Sequence, residues 1–249
     1  MRFIVMHKVD EKMESGAPPD QRIIAEMGTL VRESLASGVF ENGAGLHPSA
    51  RRARLTVKDG RREITKGPFA GDAGNQLVAG CYMIRTGTMD DALAHAAGVS
   101  DVLGGGEIEV GPVVEPWDLG FMPAPADQTS ARFLLLRKGD AATEAGTPVP
   151  PAAREKLSAL ERTLKDDGVL LLSEKLAPTA TGARLPAAPR GANRRWIDGP
   201  FAESKELIAG FSLLNVPDRA AAIAWATRYA EILDGNEVDV RELLDRRGS

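Results

Sequence analysis

Apolar and polar positions along the chain run through one cycle of rhythms and then repeat it. Phe3-Ile4-Val5-Met6 is a short continuous apolar run ending in polar residues, the pattern of a buried sheet strand. Pro18-Pro19 and Asp20 then signal a helix start, Ile23, Met27, Leu30, Val31 and Leu35 recur at helical spacing, and Gly38 supplies the stop. After residues 43–49, Arg54-Leu55-Thr56-Val57 and Arg62-Glu63-Ile64-Thr65 flank the turn dipeptide Asp59-Gly60, which predicts a hairpin. Gly67-Pro68-Phe69 must turn or bulge, since proline cannot donate to a ladder, and Phe69 is expected to anchor that corner in the core. The run over 76–84 reads as a central strand, Thr88-Met89-Asp90-Asp91 as a capped helix start, Gly104-Gly105-Gly106 as a connector, and Glu107-Ile108-Glu109-Val110 as a final strand.

The second cycle begins at Phe133-Leu134-Leu135-Leu136. A helix opens near Pro150-Pro151 with Leu157, Leu160 and Leu164 on one face, a looser hairpin turns at Pro189-Arg190-Gly191, and a corner follows at Asp198-Gly199-Pro200-Phe201. A central strand over 207–214 precedes a helix capped by Asp218, with Ile223, Ala226, Ala230 and Leu233 on its buried side. A constant step of 130 residues carries Arg2-Phe3 to Arg132-Phe133, Gly38-Val39 to Gly168-Val169, Ala53-Arg54-Leu55 to Ala183-Arg184-Leu185, and Glu107 to Glu237. The chain therefore reads as a tandem repeat, with domains at 1–118 and 131–249 and a proline-rich linker at 119–130. Each half has the order β-α-(hairpin)-β-α-β, an α+β class that without its hairpin is the ferredoxin-like βαββαβ arrangement.

Composition narrows the function classes. With 249 residues, 43% hydrophobic and 27% charged, the chain is of an ordinary globular kind. A net charge of −4, with its arginine pairs interleaved among acids, leaves no footprint for nucleic acid. Cys81 is the only cysteine, so there is no intrachain disulfide and no cysteine-rich zinc site, and its counterpart Phe211 marks it as a core thiol. No apolar run reaches membrane-spanning length and the N-terminus has no signal-peptide pattern, so a cytoplasmic protein without membrane contact is expected.

Asp198-Gly-Pro-Phe-Ala-Glu-Ser-Lys-Glu-Leu-Ile-Ala-Gly-Phe211 resembles the signature of the DGPF domain within the YCII-related superfamily, and Leu46-His-Pro-Ser49 and Leu176-Ala-Pro-Thr179 resemble the segment preceding its hairpin. The resemblance implies ferredoxin-like units whose sheets pair face to face as a dimeric α/β barrel. Two copies in one chain would make that pair an internal pseudo-dimer, with homodimerisation of the whole chain left open. Some relatives are lyases or dehydrochlorinases using a His-Asp pair with the histidine on the first helix. Here that helix carries Arg22, Glu26, Arg32 and Glu33 but no histidine, and the helix over 154–165 also has none.

Candidate chemistry is thus gathered from elsewhere. His47 lies in a Gly-rich loop before Pro48-Ser49, the kind of rigid polar corner that lines a cleft. Together with Asp198 it is the candidate catalytic group. His7 and Lys8 end a strand, with Lys8 and Asp10 mirrored by Lys138 and Asp140. His7, Lys8, Ser49 and Lys66 are candidate ligand-binding groups for an anionic or carbonyl-bearing small molecule. Where the first copy has His47 and Lys66 the other copy has Ala177 and Asp198, so an asymmetric site nearer the first copy is expected. No histidine pair has metal-ligand spacing and the Gly104 triplet is the reverse of a dinucleotide turn, so neither metal nor cofactor is expected. The function expected is a small-molecule-binding or accessory protein with its ligand between the two sheets; the alternative is a cofactor-free lyase or isomerase acting on a small carbonyl or carboxylate compound.

Overall fold

A computed structural model describes residues 1–69, 77–202 and 207–244. The first half contributes β1 (Arg2–Lys8), α1 (Glu11–Glu14), α2 (Gln21–Ala36), β2 (Phe40–Gly45), β3 (Ala53–Lys58), β4 (Arg61–Lys66), β5 (Val78–Thr86), α3 (Met89–Val102) and β6 (Gly106–Pro112). The second contributes β7 (Ala131–Lys138), α4 (Ala141–Glu144), α5 (Pro151–Asp166), β8 (Leu170–Lys175), β9 (Ala183–Leu185), β10 (Ile197–Asp198), β11 (Ile208–Asn215), α6 (Arg219–Ile232) and β12 (Val238–Glu242). Local chemistry explains many of these bounds. The Thr88 side chain accepts from Asp91 N while Asp91 answers to the Thr88 backbone, a full capping box for α3, and Asp218 caps α6 through Ala221 N.

The strands form two antiparallel six-stranded sheets, with orders β10-β9-β12-β1-β11-β2 and β4-β3-β6-β7-β5-β8. In place of one sheet per half, each sheet takes strands from both. β1 and β2 of the first half lie beside β11 and β12, and β7 and β8 of the second half lie beside β5 and β6. The helices follow their strands. Leu30 of α2 joins Trp225 and Tyr229 of α6 over the first sheet, and Leu157 of α5 joins Leu93 and Ala96 of α3 over the second. The segments 1–118 and 131–249 therefore do not correspond to separate sheets.

Side-chain alternation divides the core into three. On β1, Phe3 and Val5 turn to the helices while Ile4 and Met6 turn to the other sheet; on β7, Phe133 and Leu135 face helices and Leu134 and Leu136 face inward. Both faces of these strands are covered, which is why they read as continuous apolar runs. Ile4, Met6, Phe211 and Leu213 of the first sheet share a cluster with Cys81, Met83, Leu134 and Leu136 of the second. Bridges Leu46↔Val113 and Leu176↔Leu243 tie the sheets at two places. Arg2 on β1 adds a clasp by donating to the buried Glu174 on β8, at 2.7 and 2.8 Å, and to Glu41.

Candidate functional site

The two Gly-Pro-Phe segments build corners of the same design. Gly67 and Gly199 each precede a cis proline, and each donates its N–H to the carbonyl of a residue just before the neighbouring strand, Arg52 at 3.0 Å and Gly182 at 3.2 Å. A Cβ on Gly67 would lie 1.8 Å from the Ser49 carbonyl oxygen, and one on Gly199 1.8 Å from that of Thr179, so only glycine fits. A buried hydroxyl organises each corner. Ser49 Oγ is hydrogen-bonded to Glu14 and accepts from Phe69 N at 3.0 Å; Thr179 Oγ1 is hydrogen-bonded to Glu144 and accepts from Phe201 N at 3.0 Å.

The phenylalanines do not anchor the core as their apolar character suggests. Both rings are half-buried, and each lies under a guanidinium, Arg54 over Phe69 and Arg184 over Phe201, at 4.4 Å from the ring centroid. Those arginines continue into buried charge clusters. Glu109 receives Arg52 and Lys138 at 3.1 Å and Arg54 at 3.5 Å; Asp239 receives Arg184 at 2.7 Å and Lys8 at 3.2 Å. In each cluster the lysine comes from the other half of the chain. Burial pushes the Glu109 carboxyl up, but Lys138 and Arg52 outweigh it and hold the group at about 2. Asp239 is likewise raised by burial and brought below the ordinary aspartate range by Lys8 and Arg184.

The candidate residues distribute over these corners unequally. Ser49 is buried at the hinge of the first, and Lys66 immediately precedes its glycine as an exposed side chain at the end of β4. Lys8 is buried in the Asp239 cluster, and Asp198 precedes the second glycine, largely exposed and paired with Arg219. Asp198 lies on β10 at the edge of the first sheet, whereas His47 follows β2 and donates its backbone N–H to the Pro112 carbonyl at the end of β6 in the second sheet, at 3.1 Å. His47 meets a different acid, with Nε2 3.2 Å from Asp118 Oδ2, and Nδ1 2.9 Å from Arg51 Nη1. Its pKa is lowered by partial burial and by Arg51, against the pull of Asp118. His7 faces α6, where Nδ1 is 2.7 Å from the Tyr229 hydroxyl, and burial pushes its pKa down to about 4, so it is neutral at physiological pH.

Sequence reading missed Glu14, Glu144, Thr179, Arg52, Asp239 and Asp118 as site members. The first three carried a signal, because Glu14 to Glu144 and Ser49 to Thr179 keep the step of 130. Asp118 carried none, since it is met only through the chain segment that follows β6. The continuation of the motif at Ala70 and at 203–206 lies outside the described residues. Among the described residues, no group of three or more His, Cys, Asp or Glu could hold a metal ion, and no helix is long and apolar enough to cross a membrane.

Comparison with known proteins bears on the second part of the chain. Residues 131–244 match the model of the YCII-related domain, whose first residue coincides with the start of β7. No curated protein and no solved structure is a significant match.

Proposed function

We propose that the chain is a small-molecule-binding or accessory protein made of two copies of a DGPF-type YCII-related unit, at 1–118 and 131–249. In this reading each sheet with its helices is a ferredoxin-like layer assembled by exchange, the layers pair as an internal pseudo-dimeric α/β barrel, and a ligand is taken between them. The observation that carries it is the pair of buried clusters around Glu109 and Asp239, each completed by a lysine from the other half. Each cluster gathers more than one cation around a single carboxylate beside a Gly-Pro corner, which supports polar recognition there. An anionic or carbonyl-bearing small molecule fits the arginines and lysines there. The test is native mass spectrometry of protein purified without dialysis. A small-molecule adduct absent from Lys8→Met and Lys138→Met is expected; adduct-free protein that also binds nothing across a panel of small carboxylates and carbonyl compounds would end this reading.

The His47–Asp118 pair favours a second reading, the cofactor-free lyase or isomerase. A carboxylate on one ring nitrogen orients the imidazole, and displacement of the exposed Arg51 would free the other nitrogen as a base. Deuterium incorporation from solvent next to the carbonyl of a small carbonyl or carboxylate compound, followed by NMR and lost in His47→Ala, is the result this reading requires.

A further inference from the structure

The two halves differ most where β3 and β4 have β9 and β10 as counterparts. In the first half the strands are six residues each and meet at Asp59-Gly60; in the second they shrink to three and two, and residues 186–196 leave the sheet. Pro186 and Pro189 cannot donate to a ladder, which opens the hairpin there. This excursion is held firmly. Arg194 spends its guanidinium on the carbonyls of Pro186, Leu185 and Asn236, Ala188 N donates to Gly235 O at 2.9 Å, and Trp196 Nε1 donates to Thr227 Oγ1 at 3.0 Å. Gly235 has no room for a side chain, because a Cβ would lie 1.8 Å from the Ala188 carbonyl oxygen.

Between this fixed wall and α2, with α6 as floor, runs an open groove of about 920 Å³, in the range of small-molecule sites. Leu30, Leu185 and Ile232 line its apolar part, and the Trp196 ring is set in place by the bond to Thr227. Its charged lining is Arg190, Arg194 and Arg228 with Glu26 and Glu231; Arg194 is spent on backbone carbonyls and Glu26 is taken by Arg22 at 2.8 Å, which leaves Arg190 and Arg228 against Glu231. Arg190 and Arg228 have outside partners, Asp234 at 3.6 Å and Glu33 at 2.9 Å, but these are exposed pairs that a ligand anion can exchange.

We propose that this groove is a second binding site, separate from the inter-sheet clusters, for an aromatic carboxylate: the ring lies against Trp196 and the apolar floor, and the carboxylate turns to Arg190 and Arg228. The reading does not depend on what binds between the sheets. 1-Naphthoate is the probe, with neutral 1-naphthalenemethanol as its control, and the readout is the indole N–H signal of Trp196 in tryptophan-labelled protein. Trp196→Phe assigns that signal against those of Trp117 and Trp225. Saturable, sub-millimolar movement of the Trp196 signal is expected, weakened about tenfold in Arg228→Gln and in Ala25→Phe, which places a ring in the groove from an exposed position on α2. Movement of the other two signals alone, no saturation at millimolar naphthoate, or equal binding to Ala25→Phe would overturn the site. Equal binding of the alcohol would overturn the role of the arginines.

Discussion

Arg52 and Arg241 stand at non-corresponding positions of the two halves, yet they fill the same place. Arg52 lies one step beyond the Ala53↔Val110 pair, opposite Gly111, and Arg241 lies one step beyond Ala183↔Val240, opposite Gly182. Each arginine packs its stem over the glycine it faces: a Cβ would come 3.1 Å from Arg52 Cγ at Gly111 and 2.8 Å from Arg241 Cδ at Gly182. Each also donates to the carbonyl of the loop residue after a leucine, Arg52 to His47 at 2.6 Å and Arg241 to Ala177. The cross-strand pair is kept while its members are interchanged.

The interchange is not energetically neutral. Arg52 also donates to Glu109 and to the Ile208 carbonyl, whereas Arg241 has Glu144 only at 3.8 Å and leaves its Nε without a partner. Arg52→Met should therefore destabilise by about 3 kcal/mol, because a buried carboxylate loses a cation, and Arg241→Met by about 1 kcal/mol, the scale of one hydrogen bond. Urea denaturation of the two variants at neutral pH checks the order. Equal losses would mean that the stems, not the head groups, matter.

The corner glycines should be intolerant in a way other glycines are not. Gly67→Ala and Gly199→Ala force a methyl into a backbone carbonyl that the whole corner holds in place, and each should cost more than about 3 kcal/mol or prevent folding. Gly60→Ala is the control. It has φ of 73° but nothing within 4 Å of the added carbon, so about 1 kcal/mol of backbone strain is its full cost. Chemical denaturation of all three variants separates close approach from conformational preference.

Much of this fold was legible along the chain, and the failures have physical causes. The apolar runs of β1 and β7, the Thr88 capping box and the Asp59-Gly60 turn stand where local chemistry puts them. The exchange of β1 and β2 between sheets was hidden because corresponding strands of the two halves present similar edges, so pairing within a half and between halves looks the same in sequence. β2 was missed because Asn42-Gly43-Ala44-Gly45 has little strand preference. Its small residues answer to tertiary packing, since a Cβ on Gly43 would lie 2.9 Å from the Phe211 carbonyl oxygen. Asp118 and Glu14 are ordinary loop and short-helix acids until the fold sets them against His47 and Ser49.

Phe69 and Phe201 test whether the corners are held by ring burial or by the arginines above. A fully buried ring would cost about 3 to 5 kcal/mol on truncation, but these are half-buried and contribute part of that plus a cation–π contact. Phe69→Ala and Phe201→Ala should each cost about 1 to 2 kcal/mol, and Phe69→Leu should recover the apolar share only. Losses above about 4 kcal/mol in thermal or urea unfolding would restore the core-anchor reading.

His7 should make stability fall in mild acid. In the unfolded chain it titrates near its ordinary 6.5, but in the fold burial lowers it to about 4, with Asp10 opposing and Arg52 and Lys8 assisting. Between those values the unfolded state binds a proton that the folded state refuses, so protonation favours unfolding as pH drops. The stability is thus fully present above pH 6.5 and is lost as pH falls toward 4, by about 3 kcal/mol in all. His47, also lowered but only partly buried, adds a smaller loss of the same sign. Urea midpoints measured from pH 7 to 4.5 should decline in the wild type and decline much less in His7→Gln, whose side chain does not titrate. A His7→Gln profile parallel to that of the wild type would assign the acid sensitivity to other groups and show that the buried imidazole is not the titrating element.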